Sequence, residues 1–142
     1  MPPLLDNAVL AATAEDTQAL GRAIAARLGP GDCLALVGEL GAGKTTFVQG
    51  LAEGLGVSKR ASSPSYLIVQ EYPGPVPLFH VDAYRLSNAE ELVEIGFEEY
   101  LTAGGVVAVE WADRVAAALP PGAHWLKFEL VEGQARRIES VV

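Results

Sequence analysis

Residues 38–45 read Gly-Glu-Leu-Gly-Ala-Gly-Lys-Thr and match the pattern G-x-x-x-x-G-K-[ST] at every fixed position. An apolar run at residues 33–37 precedes this loop and predicts a buried strand. After the loop, apolar residues recur at helical spacing from Phe47 to Leu55, and Gly56 suits the end of that helix. A strand, a glycine-rich loop and a helix in this order are the context in which the pattern holds phosphate groups. A strand–helix turn that binds nothing is the other interpretation.

The residue types of the loop suit a nucleoside triphosphate bound together with magnesium. Glycines allow several backbone N–H groups to face the phosphates, and the following helix adds the positive end of its dipole. Lys44 is expected to reach the β- and γ-phosphates, and the Thr45 hydroxyl is expected to ligate the metal. Because Mg²⁺ prefers oxygen ligands and keeps several waters, one hydroxyl and one carboxylate from the protein are enough.

Two further apolar runs, at residues 78–82 and 106–110, end in the carboxylates Asp82 and Glu110. If both runs are strands of a parallel sheet, both acids emerge at the carboxyl edge, where ligands bind in such folds. We assign Asp82 to the magnesium shell and Glu110 to orienting or deprotonating the attacking water, although spacing alone allows the two roles to be exchanged. The alternative is that both acids only cap strands or neighbouring helices. His80, inside the first run, is interpreted as a satisfied core histidine, with a role as a ligand as the alternative.

The remaining patterns predict helices that alternate with strands. Thr13 and Asp16 have the spacing of a capping box and predict a helix that stops at Gly29, and Ser87 with Glu90 predicts a second capped helix. Further elements are predicted as a strand at 66–72, a short helix at 112–119 and a terminal hairpin with strands at 124–131 and 135–142. Together they predict one α/β domain over residues 1–142, a three-layer P-loop NTPase-like mixed sheet with a mostly parallel centre and an antiparallel edge hairpin.

Composition limits the kinds of partner. The net charge of −8, from 18 acidic and 10 basic residues, argues against extensive direct contact with nucleic acid. The adjacent Arg136 and Arg137 are interpreted as solvated surface, with a local basic patch as the alternative. Cys33 is the only cysteine, so it forms no internal disulfide, and its apolar neighbours predict that it is buried. The first residues lack the pattern of a secretion signal, and no apolar run approaches the roughly 20 residues that span a bilayer. We therefore expect a cytoplasmic protein without membrane contact.

Several short motifs in a fixed order resemble the TsaE (formerly YjeE) family, the small ATPases of bacterial threonylcarbamoyladenosine modification of tRNA. The resemblance runs through nearly the whole chain and is far more specific than the phosphate loop alone. The motifs are Gly38 to Thr46, Ser63-Pro64-Ser65-Tyr66, His80-Val81-Asp82-Ala83-Tyr84-Arg85-Leu86, Glu91-Leu92-Val93-Glu94-Ile95-Gly96 and Glu110-Trp111. Two positions depart from the family pattern, because Ser65 replaces the usual threonine and Ala83 replaces a frequent leucine.

The resemblance implies a function and a set of partners. It implies that the nucleotide is ATP, hydrolysed with Mg²⁺, and that two companion subunits take part. These are the threonylcarbamoyl transferase (TsaD-like) and its paralogous scaffold (TsaB-like), so that tRNA is reached only indirectly, through the complex. The expected nucleotide contacts are Glu39, Leu40, Gly41, Ala42, Gly43, Lys44, Thr45, Thr46 and Trp111; the expected metal ligands are Thr45, Asp82 and Glu110; the expected catalytic residues are Lys44, Asp82 and Glu110.

Two other functions share the same loop. A small-molecule kinase usually needs an acceptor pocket and a lid with several arginines, whereas only Arg60 and Arg85 lie in nearby predicted loops and no insertion of lid size is visible. A nucleotide-sensing module would bind the nucleotide and hydrolyse it slowly or not at all. Taken by itself, Trp111 is also compatible with a buried core position.

Overall fold

The structure is a computed structural model that describes residues 3–39, 43–57, 68–133 and 135–141. The strands are β1 (Val9–Ala11), β2 (Cys33–Gly38), β3 (Val69–Tyr72), β4 (Leu78–Asp82), β5 (Val106–Glu110), β6 (His124–Leu130) and β7 (Arg136–Val141). The helices are α1 (Ala14–Ala25), α2 (Lys44–Leu55), α3 (Ala89–Glu94) and α4 (Phe97–Thr102), with 3₁₀ turns at Ala83–Arg85 and Ala112–Ala118.

The described strands form one sheet in the order β1-β7-β6-β2-β5-β4-β3. Its centre is parallel, since β6, β2, β5 and β4 pair side by side in the same direction. Antiparallel strands complete both edges, with β7 and β1 on one side and β3 on the other. The predicted fold class is confirmed, including the terminal hairpin. The parallel register places Asp82 beside Glu110.

Helices cover both faces of the sheet and give the three layers. On one face, α1 and α2 pack on side chains such as Leu34 and Leu36, and Phe47 of α2 meets Phe128 edge-on, with the ring centroids 5.4 Å apart. On the other face, α3, α4 and the 3₁₀ turns pack on alternate side chains of the same strands. The central strand β5 is buried along its whole length, as expected of a strand covered on both sides.

Helices α1 and α2 approach each other closely through glycine. A Cβ atom added to Gly50 of α2 would lie 2.1 Å from the carbonyl oxygen of Gln18 in α1, and one added to Gly21 would lie 2.4 Å from the carbonyl oxygen of Phe47. Because neither backbone can accommodate that contact, the absence of side chains at these positions sets the spacing of the two helices. This contact fixes the helix whose first turn carries Lys44.

The start of α1 and the end of α2 are as predicted, whereas α1 ends at Ala25, before the predicted stop at Gly29. Thr13 and Asp16 form a reciprocal capping box on α1, and Gly56 ends α2 in the left-handed region with φ 68°. The second cap differs by one residue from the expected Ser87–Glu90 box. Asn88 is extended and its side chain accepts from the N–H of Glu91, because an amide oxygen competes well for that position.

Other boundaries also differ slightly. The segment predicted as a short helix at 112–119 is a 3₁₀ turn, Ala112–Ala118, with a kink at Val115. Of the strand predicted at 66–72, Val69–Tyr72 is seen as β3, while Tyr66 and Leu67 lie outside the described residues. Within the described ranges, no helix is long and apolar enough to cross a membrane.

Cys33 is buried as predicted, at the start of β2. Burial raises the pKa of its thiol to about 12, and the nearby charge of Asp32 acts in the same direction. The side chain therefore stays a neutral thiol near pH 7 and behaves as a small core residue.

Candidate functional site

The connection from β2 to α2 depends on two glycines with positive φ angles. Gly38 has φ 143°, and a Cβ atom there would lie 2.3 Å from the carbonyl oxygen of Phe128 on β6. Gly43 has φ 94° and occupies the N-terminal cap of α2. Glycine offers no side chain to cap the helix, so within the described part of the chain the N–H groups of the first turn can face an anion. Leu40, Gly41 and Ala42 lie outside the described residues.

Lys44 is buried although it carries a charge, with only 4% of the residue exposed. Its Nζ donates to the carbonyl oxygens of Gly38 and Glu39 at 2.6 and 3.3 Å, and lies 3.8 Å from the centre of the Trp111 ring. Burial lowers the pKa of Lys44, while the charges of the nearby carboxylates, Glu110 foremost, act in the opposite direction. The structure therefore places a desolvated ammonium group at the loop.

Glu110 connects three parts of the site. Its side chain is only 8% exposed, and its two oxygens lie 3.2 and 3.1 Å from the Thr45 hydroxyl, which donates to them. His80 Nε2 lies 2.5 Å from Glu110 Oε2. Burial alone raises the pKa of Glu110, but the contacts with His80 and Thr45 and the charge of Lys44 outweigh burial and hold that pKa below its usual value. Glu110 is therefore an anion near pH 7.

Asp82 ends β4 beside Glu110, as the sequence predicted, but its environment is different. It is exposed, and its Oδ1 accepts from the N–H of Tyr84 at 3.0 Å, which caps the following 3₁₀ turn. Asp82 thus combines a capping contact with a position at the edge of the sheet. With Thr45 and Glu110, it lines a cleft of about 240 Å³ between α2 and the strands β3 and β4.

Trp111 is half-buried and has a left-handed backbone, with φ 59°. This conformation is uncommon for a residue other than glycine. The ammonium of Lys44 lies over the indole ring of Trp111, and the centre of the Tyr84 ring lies 4.9 Å from the centre of that indole ring. Trp111 therefore contacts Lys44 directly and also packs against the core on the face of the sheet that α3 and α4 cover.

Two more clefts adjoin the start of α2. One, of about 210 Å³, lies between the first turn of α2 and the pair Glu110 and Trp111. The second, of about 250 Å³, is bounded by Thr17 of α1 and Thr46 of α2. Both clefts are lined by Gly43, Thr46 and Arg136, the last at the start of β7, so the two clefts adjoin; together they are called the groove at the start of α2.

The structure brings together most of the predicted site residues that it describes. Gly43, Lys44, Thr45, Thr46, Glu110 and Trp111 line one cleft, and Asp82 lies at the adjoining cleft. Sequence reasoning did not place His80 or Arg136 at the site. His80 is nearly buried and hydrogen-bonded, as expected of a core histidine, but its partner is Glu110, whereas Arg136, interpreted as solvated surface, lines two of the clefts. The spacing of His80 and Asp82, which places both on one face of a strand, was a usable signal for His80.

The donor set is compatible with a magnesium ion held partly by phosphate. In the ranges that the structure describes, no three His, Cys, Asp or Glu side chains are grouped as a metal centre. A hydroxyl and a carboxylate in contact, Thr45 and Glu110, offer oxygen ligands on one side only. This arrangement suits a metal that completes its shell with water and phosphate oxygens.

Comparison with known proteins agrees with this geometry. The family model described as "Threonylcarbamoyl adenosine biosynthesis protein TsaE" matches residues 11–138. The chain belongs to the TsaE family.

Relatives named as TsaE proteins of tRNA threonylcarbamoyladenosine biosynthesis share substantial identity with the chain. The protein from Bacillus subtilis is 46% identical over 107 residues, covering 75% of this chain and 66% of that protein. The one from Treponema pallidum is 41% identical over 108 residues, covering 76% of this chain and 80% of that protein. The crystal structure of Bacillus subtilis YdiB superposes with a TM-score of 0.77 at 36% identity, covering 93% of this chain and 82% of that one.

Proposed function

We propose that this TsaE-family chain binds ATP with Mg²⁺ in the groove at the start of α2 and hydrolyses it. The observation that carries the proposal is the convergence of Lys44, Thr45 and Glu110 at the N-terminus of a helix capped by glycine. A buried ammonium, free helical N–H groups and a hydroxyl–carboxylate pair are the parts that phosphoryl transfer requires.

Each part of the groove has a proposed role. Lys44 and the first N–H groups of α2 bind the β- and γ-phosphates, and Thr45 with Glu110 holds the metal. When bound, Mg²⁺ supplies positive charge that offsets the negative charge of the phosphates. Trp111 packs on the Lys44 ammonium and restricts its movement.

The geometry favours one division of roles between the two acids. Glu110 contacts the Thr45 hydroxyl directly, whereas Asp82 is exposed at the open side of the cleft. We therefore place Glu110 nearer to the metal and Asp82 nearer to the attacking water, which is the exchange of roles that spacing alone left open. Both residues remain in the catalytic set.

The second cleft suits the nucleoside end of the ligand. This cleft, bounded by Thr17 and Thr46, adjoins the cleft beside Glu110 and Trp111, and Arg136 lines both. The guanidinium of Arg136 can contact a phosphate oxygen, and its flat face can stack on a base. The adenine preference follows from the family and not from any hydrogen bond in the structure.

The biological role proposed for the chain follows from its relatives. Their names state tRNA threonylcarbamoyladenosine biosynthesis. The chain is proposed to act in the cytoplasm as the ATPase subunit of that pathway, working on a TsaD-like transferase and a TsaB-like scaffold. Because the chain carries a net charge of −8, those companions are proposed to hold the tRNA.

Phosphate release from ATP is the direct test. Release would be measured with Mg²⁺ for the chain alone, with both companions, and with candidate small-molecule acceptors. Release that rises sharply with the companions is expected. Phosphorylated acceptor would instead support a kinase, and saturable ATP binding without turnover under any condition would support a nucleotide sensor. Failure to bind Mg·ATP at all would remove the whole proposal.

A further inference from the structure

His80 lies where it can act on the site without touching the nucleotide groove. It is the third residue of β4, paired with Gln70 on β3 and with Ala108 on β5, and its side chain is only 11% exposed. Side chains at His80 and Asp82 share one face of the strand, and those at Ala108 and Glu110 share the same face of β5. Because Ala108 has only a methyl group, the imidazole has room to reach past it toward Glu110.

The contact between His80 and Glu110 is short and largely excluded from water. Nε2 of the imidazole lies 2.5 Å from Oε2 of the carboxylate, whose side chain is 8% exposed. The other contact of the same carboxylate comes from Thr45, a residue at the exposed start of α2. Among the described residues, the hydrogen bond that would remain without the imidazole is the one from the Thr45 hydroxyl, which is also proposed to be a metal ligand.

We propose that His80 is a positioning residue, whose Nε2–H donates to Glu110 Oε2 and holds the carboxylate turned toward Thr45. The inference rests on the proposed function, because it specifies what keeps the metal-side carboxylate in place. A donor behind an acidic ligand fixes its orientation, and loss of such a donor typically weakens metal binding by about 10- to 100-fold. His80 itself contacts neither nucleotide nor metal in this scheme.

Nucleotide binding measured with and without magnesium separates positioning from general damage. Affinity for a fluorescent ADP analogue would be titrated in EDTA and across a range of Mg²⁺ concentrations. For His80→Ala, we expect unchanged affinity in EDTA and a Mg²⁺ midpoint raised by about 10-fold. His80→Gln keeps an amide donor at similar reach and should recover most of that loss. Equal loss in EDTA and in Mg²⁺, or no loss in either, would overturn the proposal.

A double-mutant cycle then shows whether the effect passes through Glu110. In a Glu110→Gln background, His80→Ala should change the Mg²⁺ midpoint by less than about twofold, since the group that it orients has already been altered. The same tenfold effect in both backgrounds would contradict positioning through Glu110. Phe79→Leu, a change on the opposite face of β4, is the matched control and should leave both affinities unchanged while lowering the melting temperature.

A measurement on protein that keeps His80 covers the case in which variants at position 80 fail to fold. The chain has only two histidines, His80 and His124, so its imidazole ¹⁵N spectrum is simple, and His124→Gln assigns it. A protonated Nε2 on His80 in nucleotide-free protein supports the proposal. A neutral ring with its proton on Nδ1 would sink it, even if Mg·ATP binds normally. Conversely, absent nucleotide binding with a protonated Nε2 would refute the proposed function alone.

Discussion

Lys44 shows at the scale of one residue how much of the site is arranged before any ligand binds. Lysine is rarely buried without a partner, because removing its charge from water is costly. Here two loop carbonyl oxygens, the Trp111 ring and the charge of Glu110 offset only part of that cost, because burial still lowers the pKa of Lys44. The ammonium is therefore held at the loop by the carbonyl oxygens of Gly38 and Glu39.

Replacing Lys44 should therefore remove binding more than it alters the fold. Because hydrogen bonds to charged groups contribute about 1.5–3 kcal/mol, we expect Lys44→Ala to weaken ATP affinity by roughly 10- to 100-fold. Isothermal titration calorimetry would measure the change. Lys127→Ala, which removes an exposed lysine paired with Glu129, is the matched control and should bind as the wild type does. Unchanged affinity in a folded Lys44→Ala variant would refute the role.

The two acids should respond differently to loss of charge. Glu110→Gln removes the anion next to Thr45, so we expect the gain in ATP affinity on adding Mg²⁺ to fall by about 10-fold. Asp82→Asn should keep that gain and lower phosphate release by about 100-fold, as is typical of a lost general base. Magnesium titrations of binding and of turnover give both values. If Asp82→Asn lowers the gain on adding Mg²⁺ and Glu110→Gln lowers phosphate release alone, Asp82 is the residue at the metal and Glu110 the residue at the attacking water.

The residues found from sequence are those whose chemistry follows a local pattern. Lys44 and Thr45 belong to one contiguous motif, and Asp82 and Glu110 each end an apolar run. Arg136 could not be found in this way, because its place in the site depends on β7 lying close to the start of α2. That proximity arises from pairing between strands far apart in the chain.

At the scale of elements, the packing of α1 on α2 holds the phosphate loop in place. Gly50→Ala would bring a methyl group to within 2.1 Å of the Gln18 carbonyl oxygen, so the helices must separate. Such overpacking costs about 1–3 kcal/mol, and the better helix propensity of alanine recovers up to about 1 kcal/mol. We expect urea unfolding to show a net loss of about 1–2 kcal/mol.

Gly29→Ala provides the control for that change. A Cβ atom at Gly29 meets no atom within 4 Å, so its effect should stay within about 1 kcal/mol, and in the stabilising direction if any. Equal stability of the Gly50→Ala variant and the wild type would mean that the two helices can move apart without cost, and that their spacing does not depend on glycine.

Element boundaries show where local signals compete. The cap of α3 lies at Asn88 and not at Ser87. Both side chains can accept from a helical N–H, and the extended Asn88 accepts from Glu91 through its amide oxygen. The 3₁₀ turn at Ala112–Ala118 follows a left-handed Trp111 that no propensity indicates. At Trp111, contacts with Lys44 and Tyr84 accompany a backbone conformation that local propensity does not favour.

At the scale of the whole molecule, the class of fold was predictable and the order of the strands was not. Alternation of helices with apolar runs identifies an α/β sheet, and the apolar run at Val106–Glu110 indicates a strand covered on both faces. The order β1-β7-β6-β2-β5-β4-β3 depends on pairing between strands far apart in sequence, such as β2 with β6. The periodicity of apolar residues predicts which side chains of a strand face the core, but it does not predict which other strand pairs with it.

The charge of the whole chain leads to a prediction about RNA. With 18 acidic and 10 basic residues, the surface field repels a phosphate backbone, and Arg137 is already engaged by Glu129 and Glu139. We expect the isolated chain to bind tRNA with a Kd above about 100 µM at 100 mM salt, which is a lower affinity than ordinary non-specific binding. Fluorescence anisotropy with labelled tRNA would measure this, with and without Mg·ATP.

Adding the companion subunits to the same titration shows whether the companions or this chain hold the tRNA. If the companions hold the RNA, affinity should rise to their own value and should be unchanged by Arg137→Glu in this chain. Tight, salt-sensitive binding by the chain alone would contradict the prediction. It would mean that a local basic surface overcomes a net charge of −8, since counterion release makes phosphate contacts weaken steeply with salt.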